Sequence, residues 1–368
     1  QGDELLDDTA QLAAAGENLE DGDAVREVIK ITARRMLYHL EQRPGAEDDL
    51  RDIVVLAILN EPDGEVLQQL WQTGNVRGRL NELARRYSLI AGGDLHETVR
   101  DFLRRHWRSG DRPDCFEEVL QRLEEIVISL PIEGRFGSAE RIAYECRRLN
   151  ILGWRNPEHA YISFAPVLAT ALAYDQSVRT VLELGSEWTP SSKLSSPTRK
   201  LLSDFHHGAF DDKDFPDWDI WGLETDGVET VIKWLSDCAA GQNQSTDSGP
   251  WSVEQRAALS LVLGLASTSR VTDIRAKERQ LEWLDEAITG LGAENIPRKS
   301  QVGDICFALA LDLWPDPHRP LGANGRLVQQ AYENALFVGY DTAKGSHNLG
   351  MVLQKLGRYQ EAEQHFLT

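Results

Sequence analysis

Apolar positions along this chain recur mainly at helical spacing, and alternation with a period of two is confined to one short stretch. In the N-terminal third the spacing predicts helices around Ala24 to Glu41, Asp48 to Leu59, Glu65 to Trp71 and Val76 to Tyr87. A β-hairpin follows, Ser88 to Ala91 against Asp94 to His96, with Gly92-Gly93 supplying a two-residue turn that favours glycine at both centres. The chain then enters a helix in which Val99, Phe102, Leu103 and His106 form one apolar stripe. Arg100, Asp101, Arg104 and Arg105 are expected on its wet face. His96 is thereby pinned at a strand-to-helix corner. This order of helices, hairpin and helix is that of a winged-helix fold.

Beyond Cys115 the strand signal disappears and paired helical patterns start near Thr198, Ser252, Ser300 and Thr342. Such recurrence predicts an α-solenoid of helical hairpins with loop insertions. Polar breaks rich in Gly, Pro and Ser fall at Ser109 to Asp114, Thr189 to Thr198, Gly241 to Pro250 and Trp314 to Gly325. The last pair is the cleanest. Asn348-Leu349-Gly350, Lys355-Leu356-Gly357, Tyr359, Glu361-Ala362 and Phe366 match the tetratricopeptide pattern, with Gly350 and Ala362 permitting close approach. Leu349, Tyr359 and Phe366 are expected to fill the seam. Trp283-Leu284 with Glu286-Ala287-Ile288 resembles the second helix of a more degenerate repeat. The expected fold is therefore mainly α. An N-terminal helical segment (1–22) is followed by a helical and winged-helix domain (23–108) and a helical spacer (109–197). Degenerate helical repeats (198–341) and a truncated tetratricopeptide repeat (342–368) complete it, and the pattern is expected to continue in a longer polypeptide.

A net charge of −20 and a pI near 4.9 disfavour nonspecific attraction to nucleic acid or anionic membrane. No stretch approaches the roughly 18 apolar residues of a membrane span. Cys115, Cys146, Cys238 and Cys306 are far apart with no C-x-x-C pair. They read as buried small hydrophobes in a reducing, cytoplasmic setting.

Catalytic and metal motifs fail one by one. No Gly-rich loop ends in Gly-Lys-Ser/Thr, so the chain by itself is not expected to be an NTPase, and no catalytic residue is assigned. His96-Glu97 opens like a zinc-protease motif, but the second histidine's place holds Arg100. The stretch Phe205 to Glu224 gathers His206, His207 and five aspartates. An EF-hand register from Asp217 would put Trp221 and Val228 where oxygen ligands are needed, so no metal is expected. It reads as a loop whose Trp218 and Trp221 are candidate partner-binding anchors, as are Asn348 and Tyr359 of the last repeat. Residues 76–108 hold eight arginines against four acids. Ion pairs within an acidic protein are the expected use of these arginines, and DNA contacts by the helix Val76 to Tyr87 the less favoured one.

The combination of helical bundle, winged helix, Leu95-His96-Glu97 with Val99-Arg100-Asp101-Phe102-Leu103, helical spacer and tetratricopeptide pattern resembles the STAND class of signal-transduction ATPases. In that class a Met-His-Asp-like motif on the winged helix contacts the β-phosphate of ADP and holds the resting state. Leu95 and Glu97 replace its Met and Asp here. The resemblance implies that His96 is an ADP phosphate sensor and that ADP or ATP is the cofactor. Nucleotide would be held mainly by the protein's own upstream nucleotide-binding domain, outside this chain.

The expected function is the regulatory and sensor portion of a STAND-type signalling protein. Its repeats would bind a protein or peptide trigger, with oligomerisation on activation, in immune or antiviral defence. Two other readings stand beside it: a winged-helix transcriptional regulator with a repeat sensor, and a tetratricopeptide-repeat scaffold without nucleotide.

Overall fold

The computed structural model describes residues 35, 46–59, 63–87, 90–91, 93–95, 97–108, 110, 112–132, 134–186, 235, 251–266 and 274–367. The described structure is mainly helical, with one two-stranded antiparallel sheet. Described residues up to 132, together with 144–161 and 186, form one compact unit. Residues 134–143, 162–185 and those from 235 onward form a second.

The first unit is organised around α1 (Ala46–Ile58). Its last six residues, Ile53 to Ile58, and Leu59 just beyond them are each no more than 4% exposed. A helix apolar on every side has no solvent face, so its neighbours must cover it all round. Glu47, Asp48 and Asp49 in the first turn complement the positive end of the helix dipole. Next, α2 (Gly64–Trp71) is capped by Asp63, which accepts from the N–H groups of Glu65 at 2.9 Å and Val66 at 3.2 Å. Asn75 likewise caps α3 (Val76–Arg86), accepting from the Gly78 N–H at 2.9 Å. A Cβ on Gly78 would collide with that capping side chain.

Strands β1 (Ile90–Ala91) and β2 (Asp94–Leu95) pair Ile90 with Leu95 and Ala91 with Asp94. Two residues therefore separate the strands, and Gly93 has φ +91°, as such a turn requires. Ile90 and Leu95 are buried, pinning the hairpin to the core. From it emerges α4 (Glu97–Arg108), followed by α5 (Phe116–Ser129), which packs on α1 and α2. The break expected at 108/109 thus falls inside the first compact unit. Trp107, Phe116 and Trp154 are buried together, with Trp107 edge-on to Phe116 at 5.6 Å and Phe116 tilted against Trp154 at 5.4 Å. Arg112 donates to the carbonyls of Trp107 and Trp154, each at 3.1 Å, and its guanidinium lies 4.5 Å from the Phe116 ring centre. Helices α6 (Ala139–Arg155), α7 (Pro157–Tyr174) and α8 (Val178–Ser186) follow.

The later part of the second unit is a run of helical hairpins. Helix α9 (Val253–Ala266) packs on α10 (Ile274–Leu291), α11 (Lys299–Leu313) on α12 (Gly325–Phe337), and α13 (Thr342–Lys355) on α14 (Tyr359–Phe366). These are the pairs expected near Ser252, Ser300 and Thr342; the pair near Thr198 lies outside the described residues. A reciprocal cap opens the first hairpin: the Gln255 N–H donates to Ser252 Oγ at 3.2 Å and the Ser252 N–H to Gln255 Oε1 at 3.0 Å. Gly290 faces the Ala257 methyl group so closely that no second Cβ fits between them. The Trp283 to Ile288 stretch lies in α10, the second helix of its hairpin, as expected.

In the last hairpin Leu349 and Ala362 are buried, as expected, and the Phe366 ring lies against Gly350, but Phe366 is 43% exposed and so fills the seam only in part. Tyr359 departs from expectation. It opens α14 and is 68% exposed, so it does not fill the seam; Leu349, Val352 and Leu353 of α13 supply the buried apolar contact instead.

Candidate functional site

The first unit contains two polar constellations, and α1 is common to both. At its C-terminal end the last carbonyls of the helix have no intrahelical donors, and burial denies them water. Arg104 of α4 supplies the donors. Its Nε reaches the Ala57 oxygen at 2.6 Å and one terminal nitrogen reaches those of Ile58 and Leu59 at 3.3 and 3.0 Å. Asn150 Nδ2 adds a bond to Ile58 at 2.6 Å, and Arg100 Nε one to Leu56 at 3.4 Å. Arg100 also pairs with Asp94 of β2. A cation at the negative end of a helix dipole is favourable besides satisfying the carbonyls. This corrects the sequence expectation. Arg104 is 7% exposed and the Arg100 side chain 12%, so neither belongs to the wet face of α4, whereas Asp101 and Arg105 do. Burial of Leu103 and His106 agrees with the predicted stripe.

At the other end of α1, Asp49 and Asp52 point inward toward α3. Tyr87 donates its hydroxyl to Asp49 at 2.7 Å, Arg86 pairs with Asp49 at 3.0 Å, and Arg79 reaches Asp52 at 2.5 Å and Asp49 at 3.2 Å. Burial pushes the Asp52 carboxyl up to about 6 against the pull of Arg79, whose charge and hydrogen bond lower it. The Trp71 indole N–H lies close enough to lower it further without completing a hydrogen bond. The network forms one wall of an open cleft of about 720 Å³, whose other walls include Leu70, Trp71, Glu118 and Arg122. Arg51 crosses it, pairing with Asp48 at 3.2 Å and Glu118 at 3.5 Å.

These contacts decide how the arginines of residues 76–108 are used. Arg79, Arg86 and Arg100 pair with acids, Arg104 caps α1, and the Arg108 guanidinium lies 4.5 Å from the Trp154 ring centre. Arg77, Arg85 and Arg105 are exposed and reach no acid among the described residues. Three of the eight thus make the expected ion pairs with described acids, two more are engaged by carbonyls or a ring, and three stand open.

His96, the expected phosphate sensor, lies outside the described residues, as do Trp218 and Trp221. Asn348 is half-buried on α13 and donates from Nδ2 to the Tyr332 hydroxyl of α12 at 3.3 Å, so its amide joins two hairpins instead of standing open to a partner. Tyr359 stands open to solvent. Burial raises the Cys146 and Cys306 thiols to about 12, which keeps them protonated and unreactive. Cys115, half-buried before α5, is raised for the same first reason. Among the described residues no group of three or more His, Cys, Asp or Glu is arranged to hold a metal ion, and no helix is long and apolar enough to cross a membrane.

Sequence reasoning missed the buried acid pair and the Arg104 cap. A signal for the pair existed: Asp49 and Asp52 are three apart and each stands four before an apolar residue, Ile53 and Leu56, which puts them on one apolar face of a helix. In comparisons with known proteins, no family model, no curated protein and no solved structure matches this chain.

Proposed function

We propose that this chain is the regulatory and sensor portion of a STAND-type signalling NTPase. In this reading the segment α3-β1-β2-α4 is the winged helix, and the hairpins from α9 to α14 are a repeat array of tetratricopeptide type. The array takes up a protein or peptide trigger. His96 senses the phosphate of ADP held by a domain outside residues 1–368. The observation that carries this reading is the anchorage of α4, which begins immediately after His96 and is fastened to α1 through Arg100 and Arg104. A displacement at the head of such a helix is transmitted to the core of the unit instead of being absorbed in a loop. Trigger binding acts as a population shift, favouring the open state over the ADP-held one by a few kcal/mol. Engagement of most of the 76–108 arginines within the chain weighs against the DNA-binding alternative.

The test is nucleotide retention by the full-length protein. ADP recovered after denaturing the purified protein should be near one equivalent for the wild type and much lower for His96→Ala, with higher basal signalling. Equal retention in both proteins, or no nucleotide in either, overturns the sensor reading.

A further inference from the structure

The open cleft of about 720 Å³ beside α1 has no part in the nucleotide relay, yet its volume is that of a small-molecule site. One face of α1, the end of α2, the start of α3 and the first turns of α5 build it, all within the first unit. Every charged residue of the lining already has a partner of opposite sign. Arg51 holds Asp48 and Glu118, Arg79 holds Asp52 and Glu82, and Arg122 pairs with Glu125. A charged ligand must displace one of these partners before it meets a counter-charge, whereas an uncharged one leaves the pairs intact. Between the pairs the lining is apolar. Val55 and Val119 are buried, while Leu70 and Trp71 are only partly buried and present apolar surface to the cleft.

A second, independent feature belongs to the same lining residues. The Nε of Arg51 and the indole Nε1 of Trp71 are shielded from water and complete no hydrogen bond among the described residues. Arg51 meets Asp48 and Glu118 through its two terminal nitrogens, which leaves Nε over. The Trp71 N–H approaches the Asp52 carboxyl without completing a bond. Both groups are donors, so what the cleft lacks is acceptors. A shielded donor without an acceptor is costly, and a ligand oxygen that reaches it recovers that cost on binding.

We propose that this cleft binds an uncharged small molecule with an apolar body and a carbonyl oxygen, the body against Leu70 and Trp71 and the oxygen accepting from Trp71 Nε1. The paired charges around it exclude the charged analogues of the same molecule, because each would leave a native carboxylate or guanidinium without its partner. The inference goes beyond the sensor reading and does not depend on it.

The experiment is equilibrium dialysis of the whole chain against four probes that share one ring system: acetylnaphthalene, which is neutral and carries a carbonyl, naphthalene without an acceptor, anionic naphthoate and cationic naphthylmethylamine. Saturable one-to-one binding of acetylnaphthalene is expected, with naphthalene about fivefold weaker and the two ions about tenfold weaker. Trp71→Phe keeps an aromatic wall and removes the donor. It should weaken acetylnaphthalene by about fivefold and leave naphthalene within about twofold. Thr73→Trp, in the loop before α3, fills the cleft without altering charge and should abolish binding. Gln360→Trp, on the exposed side of α14, should leave it within about twofold. Circular dichroism melting of each variant confirms that folding is retained. Absence of saturable binding, equal binding of either ion, full binding by the Thr73→Trp variant, or equal loss of naphthalene and acetylnaphthalene in Trp71→Phe each overturn the proposal. None of these outcomes bears on ADP retention, so this inference and the sensor reading fail separately.

Discussion

The Nε of Arg104 lies 2.6 Å from the carbonyl oxygen of Ala57, and this bond fastens α4 to the buried end of α1. Removing the guanidinium strands several carbonyls in a dry environment. Arg104→Met keeps the aliphatic stem and deletes only the donors, and should cost about 3 kcal/mol. Hydrogen exchange followed by mass spectrometry should show the loss first in peptides spanning α1 and α4. Unchanged protection there would mean that water or another side chain replaces the cap.

Asp52 makes stability fall as pH rises, opposite to a surface carboxylate in an ion pair. Its folded value of about 6 exceeds the ordinary 3.8 expected when unfolded, so the native state binds more protons between those values. The group's contribution is fully present below about pH 4 and lost as pH climbs through 6, with a ceiling of about 3 kcal/mol. Urea unfolding from pH 4 to 7 should show this slope, and Asp52→Asn should flatten it. An identical pH profile for the variant would refute the assignment.

The bond between Asn348 and Tyr332 joins the second hairpin to the third. Tyr332→Phe should cost about 0.5 to 1 kcal/mol, the low end for a buried hydrogen bond, because half-buried Asn348 retains access to water. A double-mutant cycle with Asn348→Ala isolates the pair, and a coupling near zero would show that the two hairpins are held by packing alone.

Two glycines in the hairpins should answer alanine substitution differently. At Gly350 the obstacle is the outer edge of Phe366, 43% exposed and able to swing away, so the gain of about 1 kcal/mol in helix propensity roughly offsets the contact. At Gly290 the obstacle is the Ala257 Cβ, which moves only with its backbone. Gly290→Ala should therefore destabilise by about 1 to 3 kcal/mol. Thermal melts of the two variants side by side test this, and a more damaging Gly350→Ala would contradict it.

The hairpin at 90–95 was legible because a two-residue glycine turn has few alternatives, and α9 to α14 because apolar spacing recurs with turn residues between. Arg104 was not legible. Its position on α4 reads as polar, and only the arrival of a buried helix end beside it turns a polar position into an interior one. The central place of α1 was half-legible, since the run from Ile53 to Leu59 has no polar side, but a run of that length also fits a buried strand. Tyr359 shows the converse: the repeat pattern reads it as a seam residue, yet it is 68% exposed, because exposure depends on what neighbours the ring.

The aromatic joint of Trp107, Phe116 and Trp154 bears on modularity. The winged-helix pattern ends near residue 108, yet the packing that closes its last helix is supplied by α5 and by the end of α6. The unit that evolution or an engineer can transplant is consequently larger than the motif a reader would recognise. A graft that takes only the motif leaves the Trp107 indole facing a foreign surface. One that extends through Arg155 carries its own closure with it.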